Sequence, residues 1–226
     1  MSDIERALSP EIIAGQRVYT RSGLAFYDSF VLGFSARFAW KMPSRSLLGW
    51  YAEHLTDAHA EVGVGTGWFL DHARFPSPDP QLVLVDLNPN CLEVTARRVA
   101  RYAPQTLRAN LLEPLPWDGP PVRSVGLNYV LHCLPGPMAR KEPAIAHLRA
   151  ILAPGGVLFG STLLHNGVPR NALARLLMGI YNRSGVFSNR DDDPQTLEAI
   201  LRAHFDEVEV RLHGPTALFA ARVASD

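Results

Sequence analysis

Cysteine is scarce in this chain: two in 226 residues, Cys91 and Cys133. Each sits in an apolar stretch and neither has a partner at C-x-x-C spacing, which argues against a zinc site and reads as two buried, reduced thiols. No excess of charge exists either. Lys plus Arg is 22 and Asp plus Glu is 22, so the formal net charge is zero. The general electrostatic pull that nucleic-acid binding relies on is therefore missing. No apolar run approaches the ~20 residues of a membrane span. The polar, acidic opening MSDIERALSP does not read as a signal peptide. The expectation is a cytoplasmic protein with no membrane partner, no nucleic-acid partner and no resident metal. Repeats and low-complexity segments are absent as well. What remains, at 47% hydrophobic and 19% charged residues, is an ordinary globular chain of a length suited to one α/β domain.

The first fifty-odd residues read as helical. Leu24, Tyr27, Val31, Phe34 and Phe38 recur at helical spacing, Pro43 interrupts, and Leu47 to Leu55 predicts a second helix. From His59 short apolar runs alternate with helical patterns. The runs are Ala60–Gly63, Leu82–Val85, Ser124–Val130 and Val157–Leu163. One intervening helix opens with Asn88 as N-cap and Pro89 at the first position, followed by a Leu92, Ala96, Val99 stripe. Such alternation predicts a parallel sheet covered by helices. The C-terminus differs. Residues 207–212, EVEVRL, alternate strictly, as a half-exposed strand does. Gly214-Pro215 turns the chain, and residues 216–221, TALFAA, are apolar throughout. This pattern predicts a hairpin whose last strand inserts antiparallel into the sheet while its predecessor forms the edge. Asp193-Pro194 predicts one more helix start, with Asp191 to Asp193 as a cap and a solvated turn rather than a metal site.

Gly63, Gly65 and Gly67 follow a strand and precede a helix. Glycine allows a tight turn and close approach of backbone to a ligand. A dinucleotide fingerprint would place its third glycine where Trp68 stands, and no Lys-Ser/Thr follows to form a phosphate-cradling loop. The ligand wants a glycine turn without carrying phosphate, which describes a nucleoside with an amino-acid tail. Asp86, some twenty residues on at the end of Leu82–Val85, is placed to accept both hydroxyls of a ribose.

Four segments in register resemble the class I S-adenosylmethionine (SAM)-dependent methyltransferases, of the small-molecule type similar to methyltransferase types 11 and 12. They are residues 60–67 (AEVGVGTG), 85–88 (VDLN), 128–135 (NYVLHCLP) and 152–156 (LAPGG). The resemblance runs from about His59 to the C-terminus. It implies a Rossmann-like, seven-stranded mixed sheet with helices on both faces and the last strand antiparallel. It implies SAM as cofactor and S-adenosylhomocysteine as product. Residues 1–55 would then form an N-terminal helical cap or lid on a core of residues 56–226. Glu61 would organise the methionine end of SAM and Gly63, Gly65 and Gly67 would pack against it. Asp86 with Leu87 would hold the ribose. Asn110, where many relatives have Asp, would accept from the adenine amino group beside Leu111. Asn128 and Tyr129 would complete the cofactor site.

Methyl transfer from a sulfonium mainly requires positioning, with a proton to remove in some cases. His132, just past the fourth strand, is the best general-base candidate, or else it lines the pocket or pairs with backbone. His165, past the fifth strand, is a second candidate. Six of the twenty aromatic residues lie between Phe26 and Trp40. They either pack on the core or form a lid over an apolar substrate, with Tyr27 and Trp40 as pocket residues; Tyr19 is a floor or lid residue. The stripe Leu173, Leu176, Leu177, Ile180 predicts an opposite wall, with Tyr181 and Phe187 near the opening. The leading reading is a methyltransferase acting on a small, apolar or aromatic metabolite, as a monomer or homodimer. A methyltransferase of protein or RNA is an alternative, although no basic arm is visible and Asn128-Tyr129-Val130-Leu131 replaces the Asn/Asp-Pro-Pro-Tyr signature of many amino-methylating enzymes. A non-catalytic SAM-binding module is the third reading.

Overall fold

Along each central strand successive side chains pass to opposite faces, and both faces are apolar. In the computed structural model, which describes residues 35–225, this alternation sorts the core into two layers. The strands are β1 (Ala58–Val62), β2 (Gln81–Asp86), β3 (Gln105–Arg108), β4 (Val122–Asn128), β5 (Leu152–Leu163), β6 (Glu207–His213) and β7 (Thr216–Arg222). Ala60, Val62, Val83, Val85, Val125, Leu127, Leu158 and Phe219 belong to one layer. Leu82, Leu84, Val157, Phe159, Leu218 and Ala220 belong to the other. A strand covered on both sides must read as a near-continuous apolar run, which is how the sequence presents β2 and β7.

The sheet order is β3-β2-β1-β4-β5-β7-β6. Strands β1 to β5 pair in parallel. Strand β7 lies antiparallel between β5 and β6, as the hairpin pattern predicts. Strand β6 is the edge, and its alternating polar residues face solvent. The two layers are covered by helices α1 (Ser44–His54), α2 (Trp68–His72), α3 (Pro89–Arg98), α4 (Glu142–Ala150) and α6 (Pro194–His204), while α5 (Ala172–Ser184) packs on a third, smaller cluster. From α4 come Ala144, Ile145 and Leu148, and from α6 Leu197, Ile200 and Leu201, all on the first layer. Leu47, Trp50 and Tyr51 of α1 and Cys91 and Leu92 of α3 fill the second. The caps follow local chemistry. Asn88 accepts from Asn90 N, with Pro89 at the first position, and Asp193 accepts from Thr196 N, with Pro194 following.

Three expectations need revision. Strand β4 ends at Asn128 instead of Val130, because Tyr129 adopts φ +56° and leaves the extended region. The inward face of α5 is Ala174 and Met178 with half-buried Leu173, Leu177 and Tyr181 beside them, so Leu173 and Leu177 of the expected stripe turn inward while Leu176 and Ile180 point to solvent. Asp192 is not in a solvated turn. It is fully buried and paired with Lys141, 51 residues away in sequence. The aromatic segment before Ser35, including Tyr19, Phe26, Tyr27, Phe30 and Phe34, lies outside the described residues, and with it most of the expected cap. The described end of that cap, α1, is core: Leu47, Trp50 and Tyr51 are all buried.

Candidate active site

Strand order reverses between β1 and β4, and a crevice opens there at the carboxyl ends of the strands. Glu61, residues 63–70, Asn128 and Tyr129 line it. On the β1 side the chain turns through Gly63, Gly65 and Gly67, with φ +69°, +54° and +73°. A Cβ on Gly63 would strike Val130, whereas a Cβ on Gly65 would project into open space. Gly65 therefore presents bare backbone to whatever fills the crevice. Helix α3 buttresses the turn from behind. Thr95 Oγ1 donates to Gly65 O at 3.2 Å and Arg98 donates to Thr66 O at 3.1 Å. Trp68 stacks on His72 and contacts Phe69 edge to face, so it walls the crevice where a dinucleotide site would need a glycine.

Two acceptors and one donor stand around this turn. The Glu61 carboxylate is buried, with Oε2 accepting from the Tyr51 hydroxyl and from His59 Nε2. Asp86 ends β2 next door. Its Oδ1 accepts from Asn88 N at 2.8 Å, and the backbone N–H groups of Val64, Gly65 and Leu87 lie near enough to favour its ionised form. Burial still dominates and lifts its carboxyl to about 6. Asn128 Oδ1 accepts from Ser161 Oγ at 3.1 Å, while Asn128 Nδ2 is buried without a partner. A buried orphan donor is costly unless a ligand supplies its acceptor. An open glycine cradle, a carboxylate and an orphan donor at one end, and a second carboxylate one strand away fit the amino-acid tail and ribose of SAM.

Beyond these, Asn110 follows β3 and its Oδ1 accepts from Leu112 N at 3.1 Å. Leu87 gives its carbonyl to Arg108 Nε. Leu111 turns into the core and its carbonyl accepts from His147 Nδ1, so its side chain does not reach the crevice lined by Glu61.

Tyr129 bounds the crevice and also opens a second, aromatic cluster. Trp40, Leu163, Ala174 and Met178 form its buried part, and Tyr129, Tyr181 and Phe187 pack against it. Phe187 is its hub, with its ring centroid 6.2 Å from Trp40, 4.8 Å from Tyr181 and 4.5 Å from His132. His132 is buried, and its Nδ1 accepts from Leu163 N at 3.4 Å. Burial first, then the Lys141 charge, push its pKa down to about 3. An imidazole that is neutral this far into acid, with Nδ1 already accepting, carries its proton on Nε2 and is a poor proton acceptor. This runs against the general-base expectation for His132. His165 stands apart, with its ring on Asn166 Oδ1 and its backbone N–H on Asp192 O.

Sequence reasoning missed Tyr51, His59 and Lys141, and it read Asp192 as part of a solvated turn. A signal existed for His59. It and Glu61 stand two apart on a strand that had to be buried on both faces, so two polar side chains share one buried side.

Comparison with known proteins agrees with this geometry. Residues 60–158 match the family described as "Methyltransferase domain". Demethylluteothin O-methyltransferase of Streptomyces thioluteus is 40% identical over 97% of this chain and 96% of its own. Methyltransferase ctvB of Aspergillus terreus is 42% identical over 88% of this chain and 90% of its own. Among solved structures, the complex of DhpI with S-adenosylhomocysteine superposes with a TM-score of 0.65 at 17% identity, covering 96% of this chain and 99% of that one, a likeness of fold. With a Rossmann-like seven-stranded sheet, a glycine turn fitted to SAM and relatives of this identity over nearly the whole length, the chain belongs to the S-adenosylmethionine-dependent methyltransferases.

Proposed function

We propose that this enzyme methylates a hydroxyl of a small, apolar or aromatic metabolite. The observation that carries the reading is the aromatic cluster of Trp40, Tyr129, Tyr181 and Phe187 abutting the cofactor crevice through Tyr129. Apolar walls with a few placed polar groups suit a small organic acceptor. The O-methyltransferase name of the Streptomyces thioluteus relative supports oxygen as the accepting atom.

When bound, SAM supplies an electrophilic methyl on its sulfonium. Glu61 receives the ammonium of its amino-acid tail, and Asn128 Nδ2 donates to the carboxylate. Asp86 accepts the ribose hydroxyls, and Asn110 accepts from the adenine amino group. Tyr129 separates cofactor from acceptor, and the aromatic walls orient the acceptor oxygen and exclude water. His132 touches the acceptor as a neutral Nε2–H donor and serves as a positioning contact. An acceptor hydroxyl acidic enough to ionise in water needs no further base. We place the enzyme in the cytoplasm, as a monomer or homodimer working without nucleic acid. Among the described residues no helix is long and apolar enough to cross a membrane.

The test is incubation with methyl-labelled SAM and panels of phenols, enols, amines, peptides and RNA, followed by mass spectrometry and NMR of the transferred methyl. Label on the oxygen of a phenol or enol is the expected result. Transfer only to amines, peptide or RNA, or none at all, overturns the reading.

A further inference from the structure

We propose that Tyr51, His59 and Gly126 are positioning residues for the ammonium end of SAM, acting through the Glu61 carboxylate. The inference rests on the reading of Glu61 as the ammonium acceptor.

Proton bookkeeping supports it. His59 and Glu61 stand on the same face of β1 and are both buried. His59 Nδ1 lies 2.9 Å from Ser124 Oγ on β4, and Nε2 lies 3.1 Å from Glu61 Oε2. The Thr56 hydroxyl proton goes to Ala58 O, so Thr56 Oγ1 is an acceptor toward Ser124 Oγ, 2.9 Å away. The single Ser124 proton then goes either to Thr56 or to His59 Nδ1. In the second case the imidazole is neutral with its proton on Nε2. The first would leave a bare Nε2 lone pair facing a carboxylate oxygen, which is repulsive, so the second arrangement holds and Nε2–H donates to Glu61 Oε2. The Tyr51 hydroxyl donates to the same oxygen, and burial, followed by the Glu61 charge, holds that phenol protonated.

Both donors thus end on Oε2, and the described hydrogen bonds give none to Oε1. Glu61 lines the crevice, so a buried carboxylate with one saturated oxygen presents the other to a ligand. Burying such a charge demands a cation there. Gly126 sets the reach of the carboxylate. It pairs with Glu61 in register, and a Cβ on it would lie 2.2 Å from Oε2. The clash falls on the far end of a flexible side chain, so Gly126→Ala re-aims the carboxylate instead of breaking the sheet.

The test compares two ligands by calorimetry: S-adenosylhomocysteine, which has the amino-acid tail, and 5′-deoxy-5′-methylthioadenosine, which lacks it. Tyr51→Phe, His59→Leu and Gly126→Ala are each expected to weaken S-adenosylhomocysteine about tenfold, the effect of a lost charge-assisted hydrogen bond, and to leave methylthioadenosine unchanged. His59→Gln, which restores an N–H donor, is expected to recover part of the loss. Glu61→Gln separates the two layers of inference. If it leaves S-adenosylhomocysteine affinity intact, the reading of Glu61 falls and the positioning falls with it. If Glu61→Gln weakens that ligand selectively while the other variants do not, the positioning is overturned and Glu61 keeps its role. Equal loss of both ligands in the Tyr51, His59 and Gly126 variants also overturns it, as a merely structural effect. Should His59→Leu fail to fold, Tyr51→Phe and Gly126→Ala decide alone.

Discussion

Lys141 and Asp192 form an ion pair wholly excluded from solvent, with Nζ 2.6 Å from Oδ2 and both side chains 0% exposed. Lys141 Nζ also donates to Ser188 O at 2.8 Å, Ser188 N donates to His132 O, and Gly136 N donates to Ser188 Oγ. The pair therefore fastens the loop that carries Phe187 to the turn after β4 that carries His132. Removing one partner strands the other charge in the interior. Lys141→Met or Asp192→Leu should destabilise the fold by about 3–5 kcal/mol, whereas the two substitutions together should recover most of that loss. Chemical denaturation checks this. Additive losses in the double variant would show that the two residues do not act as a pair.

Asp86 should make cofactor binding acid-sensitive. Its carboxyl titrates at about 6 in the fold against an ordinary value of 3.8, and the ionised form is the one proposed to accept the ribose hydroxyls. Affinity for S-adenosylhomocysteine should fall as pH drops through 6, approaching about tenfold per pH unit below it. Stability runs the other way. Because the folded value is raised, the contribution of Asp86 is present below 3.8 and lost as pH rises through about 6. Asp86→Asn should therefore stabilise the ligand-free protein at neutral pH by on the order of 1–3 kcal/mol while weakening the ligand. Calorimetry and thermal melts across pH measure both. Loss of stability in Asp86→Asn at neutral pH would contradict the burial argument.

His132 should leave no mark on the activity profile near neutrality. Its pKa of about 3 lies below the ordinary 6.5, so the unfolded chain takes up a proton that the folded chain refuses. The stability it contributes is complete above 6.5 and is lost toward acid at about 1.4 kcal/mol per pH unit, down to about 3. His132→Gln should flatten the stability profile by that slope and lower kcat/KM without changing the shape of its pH dependence. A limb near 6.5 that disappears in His132→Gln would instead identify a general base.

Phe187 should matter to the acceptor and not to the cofactor. Its ring touches Trp40, Tyr181 and His132 but lies outside the glycine crevice. Phe187→Ala should raise KM for the acceptor by about tenfold or more, the equivalent of roughly 1.4 kcal/mol or more of lost aromatic contact. Affinity for S-adenosylhomocysteine should stay the same. A parallel loss of cofactor affinity would tie Phe187 to the cofactor site and overturn its assignment to the acceptor.

The sequence by itself determined everything that depends on neighbours along the chain. Three glycines at alternate positions specify the turn because all three adopt positive φ, which other residues reach only with strain. Asn88-Pro89 and Asp193-Pro194 specify helix starts because a side-chain acceptor and a preset φ act within a few residues. The contrast of EVEVRL with TALFAA specifies which hairpin strand is the edge, because side-chain period and burial are read along one strand. Tertiary structure alone decided which of several chemically similar residues meets which partner. Asp192 and Asp193 are adjacent and alike, yet one caps α6 and the other is buried against Lys141. Apolar residues surround α5 closely enough that spacing alone could not separate Leu173 and Leu177, which pack inward, from Leu176 and Ile180, which face solvent; docking against Trp40 and Leu163 made that choice and buried Ala174 and Met178. His59 and Glu61 look like strand polarity until Tyr51 of α1 and Ser124 of β4 close around them. Those choices follow from long-range packing and desolvation, whose free energies arise only when segments far apart in sequence exclude water between them.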